Sequence, residues 1–253
     1  MTEQDLAGRG VVVTGSSRGI GAATAELLAA RGAGVVVNYR QKAPRANKVV
    51  QKIEEAGGRA VAVGGDVTVA EDRAALLDAA VEHFGSLDVL VLNASGGMET
   101  SMGEDYAMRL NRDAQVDALE AGTELMGEGG RVVYVTSHQA HFIHEVETMP
   151  EYEAVALSKR AGEDALVERV PALAERGITF VTVSGDMIEG TVTATLLDRA
   201  RPGALEARRE SAGRLFSVQE FAQEVAAMAT ADVETGHVEL VGGAEDFLAQ
   251  SQG

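Results

Sequence analysis

Three groups of residues carry chemistry by type and spacing. Gly15, Gly19 and Gly21 sit in Thr14-Gly15-Ser16-Ser17-Arg18-Gly19-Ile20-Gly21, after one apolar run and before an amphipathic segment. A strand, a glycine turn and a helix start make a cradle for a pyrophosphate. Gly15 permits the tight turn, Gly19 the close approach of the backbone, and Gly21 the packing of helix on sheet. The helix N-terminus then offers free N–H groups to the phosphates. The second group is Lys159. Only Lys42, Lys48, Lys52 and Lys159 are lysines among 22 basic residues, and Lys159 stands far from the other three. Lysine and arginine are not interchangeable at a site, so the isolation suggests a wanted ammonium. The third group is His138, His141 and His144, three residues apart behind Ser137. An imidazole suits general-acid work near neutral pH. Glu145 and Glu147 are close by, but metal-binding histidine pairs usually stand four apart on a helix, so no metal is expected. A structural role, or for His141 a substrate contact, is the expectation.

These residues must be held by a sizeable core. The chain has 253 residues, 45% of them hydrophobic and 24% charged, which is ordinary for one large globular domain. Cysteine is absent, which excludes disulfides, thiolate metal sites and a cysteine nucleophile. The net charge of −17 and the lack of a basic stripe argue against nucleic acid as a partner. Tryptophan is absent and aromatics are 4%, so base-stacking platforms are not expected. Met1 to Arg9 has no signal-peptide pattern, and no apolar run reaches membrane-spanning length. The expectation is a cytoplasmic protein with no membrane partner.

Apolar β-branched runs at Val11-Val13, Val35-Val37, Ala60-Val63, Val89-Leu92, Val132-Val135, Phe180-Val183 and His237-Val241 read as strands. Helical patterns fill the gaps at Ile20-Arg31, Arg45-Ala56, Ala70-Phe84, Glu104-Met126, Tyr152-Arg176 and Val218-Thr230. Continuous apolar strands alternating with helices predict an α/β fold, a doubly wound Rossmann domain spanning 1–253 with a parallel sheet of about seven strands. Asp186-Arg209 resists assignment: it reads equally as a lid over a site, at 186–210, and as a pair of packed surface helices.

The glycine loop TGSSRGIG resembles the cofactor loop of the short-chain dehydrogenase/reductase family, and the resemblance runs over nearly the whole chain. Gly65-Asp66-Val67-Thr68 resembles the family's turn after the third strand, where the Asp meets the adenine. Asn93-Ala94-Ser95-Gly96 resembles its Asn-Ala-Gly motif. Asn111 sits in the long fourth helix, Ser137 ends the fifth strand, and Ser158-Lys159-Arg160-Ala161 resembles the Ser-Lys-x-Ala motif. The resemblance implies that Asn111, Ser137 and Lys159 are catalytic. It implies cofactor contacts from Gly15, Ser17, Arg18, Gly19, Ile20, Gly21, Asp66, Val67, Asn93, Ala94, Lys159 and Gly185. It also implies a homodimer or homotetramer paired through the fourth and fifth helices.

The second strand ends Val37-Asn38-Tyr39-Arg40, with no acid at 38 to 42 to take a ribose 2′-hydroxyl. Arg18 and Arg40, beside Tyr39, suit a 2′-phosphate instead, so NADP(H) is the expected cofactor. One departure stands out. The family places a proton-donating Tyr four residues before the Lys, but here that position is Val155, and the nearest candidate is Tyr152. Seven residues are nearly two turns, so Tyr152 and Lys159 share a helix face, with Cα atoms about 10.5 Å apart instead of about 6 Å. Tyr152 is then either a displaced acid or a helix-start residue without chemistry. The donor is Tyr152, one of the three histidines, or the hydroxyl of a polyphenolic substrate. Such departures resemble tailoring ketoreductases of aromatic polyketide pathways, the angucycline type included. Met187, Ile188 and Val192 would suit a flat apolar substrate, and Met187 and Val192 are assigned to it with His141.

The expected function is NADPH-dependent reduction of a small-molecule carbonyl compound. The competing reading is a non-catalytic NADP(H)-binding sensor or scaffold. A nucleic-acid regulator is disfavoured by the charge. Arg40→Asp is expected to weaken NADPH binding far more than NADH binding in a fluorescence titration; equal losses would undo the cofactor assignment.

Overall fold

A computed structural model describes residues 4–98, 103 and 105–249. Met1–Glu3 and Glu104, which the sequence reading includes in its first segment and fourth helix, lie outside the described residues. Seven parallel strands form one sheet in the order β3-β2-β1-β4-β5-β6-β7. They are β1 (Gly10–Val13), β2 (Gly34–Tyr39), β3 (Arg59–Gly64), β4 (Val89–Leu92), β5 (Arg131–Ser137), β6 (Thr179–Gly185) and β7 (His237–Val241). The strand register alternates side chains between two cores. Val11, Val13, Val35, Val37, Val133, Val135, Val181 and Val183 face one layer, with α1 (Gly19–Ala30), α2 (Ala43–Glu55) and α11 (Val218–Ala227). Val12, Val36, Leu90, Leu92, Val132, Tyr134 and Phe180 face the other, with α3 (Ala70–Phe84), α5 (Ala114–Glu124), α7 (Glu153–Val167) and α8 (Val170–Glu175). Burial on both faces explains why the strands read as unbroken apolar runs.

The helices differ from the sequence reading where backbone chemistry intervenes. The expected Tyr152-Arg176 helix is two, α7 and α8, because Pro171 sits in the first turn of α8. Proline lacks an N–H and its ring displaces the preceding turn, so it opens a helix rather than continuing one. The expected Glu104-Met126 helix is α4 (Tyr106–Met108), a wide π-helical turn (Arg109–Asp113) and α5. The unassigned segment after β6 forms α9 (Val192–Ala200) and α10 (Ala204–Ala212), split at Pro202-Gly203. Thr191 caps α9 by accepting a hydrogen bond from Ala194 N at 3.1 Å. Two short helices were not foreseen, α6 (His138–His141) and α12 (Ala244–Ala249).

The π-helical turn has a packing partner. A Cβ on Gly162 of α7 would lie 2.0 Å from the Asn111 carbonyl oxygen. Only glycine lets α7 rest on the widened turn that carries Asn111. Gly162→Ala is expected to lower unfolding stability by about 1–3 kcal/mol, the usual cost of overpacking, as read by urea denaturation. An unchanged midpoint would show that the two elements part easily.

Candidate active site

The winding direction reverses between β1 and β4, and a cleft opens outside their carboxyl ends, as parallel α/β sheets dictate. Its volume is about 580 Å³. The glycine loop forms its floor. Gly19 has φ +57 and nothing within 4 Å of where a Cβ would stand, so bare backbone faces the space. A Cβ on Gly21 would fall 2.5 Å from Asn93 Nδ2 and 2.8 Å from the Gly15 carbonyl oxygen. The α1 N-terminus has no side-chain cap. Its amide groups are therefore free for an anion. Ser17, Arg18 and Ile20 line the same floor.

The loop is pinned by residues the sequence reading did not select. Asn38 Oδ1 accepts from Gly15 N at 2.9 Å, and Asn38 Nδ2 donates to Gly65 O at 3.2 Å. Thr14 Oγ1 accepts from the main-chain N–H groups of Asn93 and Ala94, each at 2.9 Å. A buried Asn closing a valine run was the available signal for Asn38.

One end of the cleft is cationic. Arg18, Arg40, Lys42 and Arg45 line it, with Tyr39 beside them, and Lys159 lines the far part. Against these cations the cleft wall offers Asp66 and Asp186. Asp66 holds Thr68 N and Thr68 Oγ1 at 3.0 and 2.7 Å, shaping the turn that presents Val67. Asp186 is already paired: Arg208 Nε lies 2.9 and 2.8 Å from its two oxygens. The guanidinium of Arg40 lies 5.5 Å from the Tyr106 ring centre and donates a hydrogen bond to its hydroxyl. A cradle of bare backbone at a helix start, with a cluster of guanidinium groups beyond it, fits a dinucleotide carrying an extra phosphate.

Across the cleft stand Ser137, Tyr152 and Lys159. Ser137 ends β5 and Tyr152 immediately precedes α7, which starts at Glu153. The Tyr152 hydroxyl lies 3.5 Å from Ser137 Oγ. Burial pushes the Tyr152 phenol up from its ordinary pKa, and the Ser137 contact opposes this. Burial pushes Lys159 down to about 8, against the pull of the Glu163 carboxylate one turn along α7. Asn111 does not line the cleft. It is buried behind it, where Nδ2 donates to Gly96 O at 2.8 Å and to Ser158 Oγ at 2.9 Å.

None of the three histidines lines the cleft. His138 is fully buried, with Nδ1 2.8 Å from Ser184 Oγ, between the rings of Phe142 and Phe247. Burial holds its pKa down, to about 4. His144 is exposed. His141, expected to touch substrate, instead hydrogen-bonds through Nδ1 to the buried Glu163 of α7. Among the described residues no group of three or more His, Asp or Glu is arranged to hold a metal ion. Gly185 also departs from expectation. It is absent from the cleft wall, and a Cβ there would meet the Phe221 ring at 2.4 Å, so its smallness serves packing.

Met187, Ile188 and Val192 do line the cleft, with Thr193, Ala194 and Leu197 of α9. Tyr152 packs in a cluster with Val155, Ala156, Met187, Leu197 and Leu215, flanked by Met98, Ile143 and Met149. The packing around the tyrosine is therefore apolar, and Met187, which also lines the cleft, is adaptable in shape.

The family model for short chain dehydrogenases matches residues 9–201. The chain belongs to the short-chain dehydrogenase family. It is 32% identical over 204 residues to versicolorin reductase 1 of Dothistroma septosporum, covering 78% of this chain and 76% of that one. A dehydrogenase/reductase from Sinorhizobium meliloti superposes with TM-score 0.81 at 33% identity, covering 96% and 97% of the two chains. The angucycline C-6 ketoreductase LanV, solved with bound NADP, superposes with TM-score 0.78 at 29% identity over 94% and 96%. As a member of this family the dehydrogenase is an oxidoreductase acting on carbonyl and hydroxyl groups. No helix among its described residues is long and apolar enough to cross a membrane.

Lys159 makes a pH test possible. Its pKa falls from 10.5 in the free side chain to about 8 in the fold. Between those values the unfolded chain binds more protons, so stability rises with pH across that window. The burden of the buried charge is complete below the folded value and gone above the unfolded one. The stability of the dehydrogenase minus that of Lys159→Met is expected to rise over this range, by at most about 1.4 kcal/mol per pH unit. A flat difference in denaturant titrations would mean that Lys159 keeps its free pKa.

Proposed function

We propose that this dehydrogenase is an NADPH-dependent ketone reductase, that Tyr152 is its proton donor, and that its substrates are flat, largely apolar ketones of the polycyclic aromatic polyketide type. One observation carries the reading: the Tyr152 and Ser137 hydroxyls stand 3.5 Å apart in the cleft. Two hydroxyls at that separation can each reach a single carbonyl oxygen at about 2.7 Å. Ser137 then holds the oxygen while Tyr152 gives it a proton. Burial keeps the phenol protonated until the carbonyl takes up charge, and the Lys159 ammonium in the same wall favours the phenolate left behind. Asn111 acts from behind by fixing Gly96 and Ser158. The nicotinamide supplies the hydride when bound.

NADP(H) is supported by the cations at Arg18, Arg40, Lys42 and Arg45 and by the lack of an acid at the end of β2. LanV, solved with NADP, supports the same choice. The apolar wall of Met187, Val192 and Leu197 supports a flat substrate, in line with the angucycline and versicolorin names of the two reductases. Segment 186–210 serves as a lid in this reading, with α9 over the substrate. The sensor or scaffold alternative drew on the displaced tyrosine, and a Tyr152 hydroxyl beside Ser137 weighs against it. Leu157 and Val167 of α7, 46% and 47% exposed, support a homodimer or homotetramer paired through α5 and α7.

The test is NADPH consumption with β-ketoesters, simple ketones, quinones and polycyclic aromatic ketones, with Lys159→Ala as control. Tyr152→Phe is expected to cut turnover by about 10²-fold or more with NADPH affinity kept. Near-normal turnover would assign the proton-donor role to the substrate's own hydroxyl, and no turnover with tight NADPH binding would favour the sensor.

A further inference from the structure

We infer that the carboxamide of Gln139 is a second hydrogen-bond donor of the substrate site, so that the substrate is a ketone bearing another acceptor oxygen besides the reacting carbonyl. The inference rests on the reductase reading and deepens it.

Gln139 is the second residue of α6, two beyond Ser137, and it lines the cleft with Ser137 and Tyr152. The two ends of a glutamine amide are told apart by their partners. The main-chain N–H of Met149, which can only donate, lies 3.3 Å from one end of this amide. Thr148 Oγ1 lies 2.6 Å from the same atom. That atom is therefore the oxygen, and it is satisfied twice. The amino end carries two protons, and among the described residues its one hydrogen-bond partner is the thioether of Met149, at 4.0 Å. Sulfur at that range is a weak acceptor.

The surroundings make this donor informative. The cleft wall it shares is apolar at Met187, Ile188, Val192, Ala194 and Leu197. A pure hydrocarbon ketone filling that wall would strand the amide protons away from water. A site that strands a donor discriminates against the ligand that lacks the acceptor. The amide is also held ready: the turn that fixes its oxygen accepts a hydrogen bond from Tyr152 N at Met149 O, at 2.8 Å. One turn thus seats the proton donor and aims the second reader of the substrate.

The experiment uses 1-tetralone and its ring-substituted methoxy and hydroxy derivatives with the full-length protein. Both NADPH oxidation and calorimetric Kd are measured. A methoxy oxygen only accepts, whereas a phenol also donates. The wild type is expected to favour one methoxy position over the parent ketone by about tenfold, in kcat/KM and in Kd, the worth of one well-made hydrogen bond. Gln139→Glu keeps an oxygen for Thr148 and Met149 and replaces the amino group with an acceptor. In it the methoxy preference should vanish and the hydroxy derivative at the same position should overtake. A wild type that ranks all positions alike overturns the inference without any variant, and so does a Gln139→Glu protein that keeps the wild-type ranking. If the expected ranking holds in Kd but no ketone is turned over, the reductase reading fails while the inference stands.

Discussion

The site depends on the carboxyl ends of β1 and β4 being locked together. Thr14 Oγ1 accepts from two successive amides after β4 and donates to Val91 O at 3.2 Å. Asn93 Nδ2 returns a bond to Thr14 O at 2.9 Å. These bonds tie the two strand ends directly to each other, and the glycine loop gains a fixed floor. Asn38 does the same on the other side, joining the loop to the turn after β3. With three strand ends tied, the bare backbone at Gly19 and the open α1 N-terminus keep their positions without a ligand. Preorganisation of this kind spares a bound phosphate the cost of ordering its own site.

Tyr152 takes its place from the entrance of α7. On one continuous helix, Tyr152 would stand two turns from Lys159 and far from its head group. Tyr152 is the N-cap of α7: its carbonyl oxygen accepts from Ala156 N at 2.9 Å, and its own N–H donates to Met149 O at 2.8 Å. The side chain enters the cleft from the helix entrance and reaches Ser137. Lys159 thus lies within α7, while Tyr152 is held at its N-cap by the first helical bond and by the turn at Met149. The two groups can occupy one cleft without the usual four-residue interval.

The strands were legible because burial on both faces leaves a strong apolar signal, and the glycine loop because its spacing has a steric cause. The cationic end of the cleft was legible from Arg18, Arg40 and Lys42, yet Arg45 joined it only through the fold. Helix breaks were less visible. Pro171 marks one in plain sight, but the π-helical turn at Arg109–Asp113 leaves no compositional trace, since it answers to Gly162 across the interface. Gln139 was invisible for a similar reason: its orientation is set by partners nine and ten residues away, Thr148 and Met149. The histidines misled because spacing alone cannot show which way a short helix faces.

Their actual place explains how a chain of net charge −17 keeps a buried lysine charged. An ammonium withdrawn from water needs a counter-charge, and a carboxylate withdrawn from water needs hydrogen bonds of its own. Glu163, one turn beyond Lys159 and 2% exposed, supplies the first requirement. His141 supplies part of the second by donating to Glu163 Oε1, while Oε2 has no partner among the described residues, and Arg160 Nη1 holds the His141 carbonyl oxygen at 2.7 Å. The histidine expected to touch the substrate therefore reaches the chemistry from behind. It holds the carboxylate that offsets the charge of Lys159, and so helps an amine depressed to about 8 stay protonated at neutral pH.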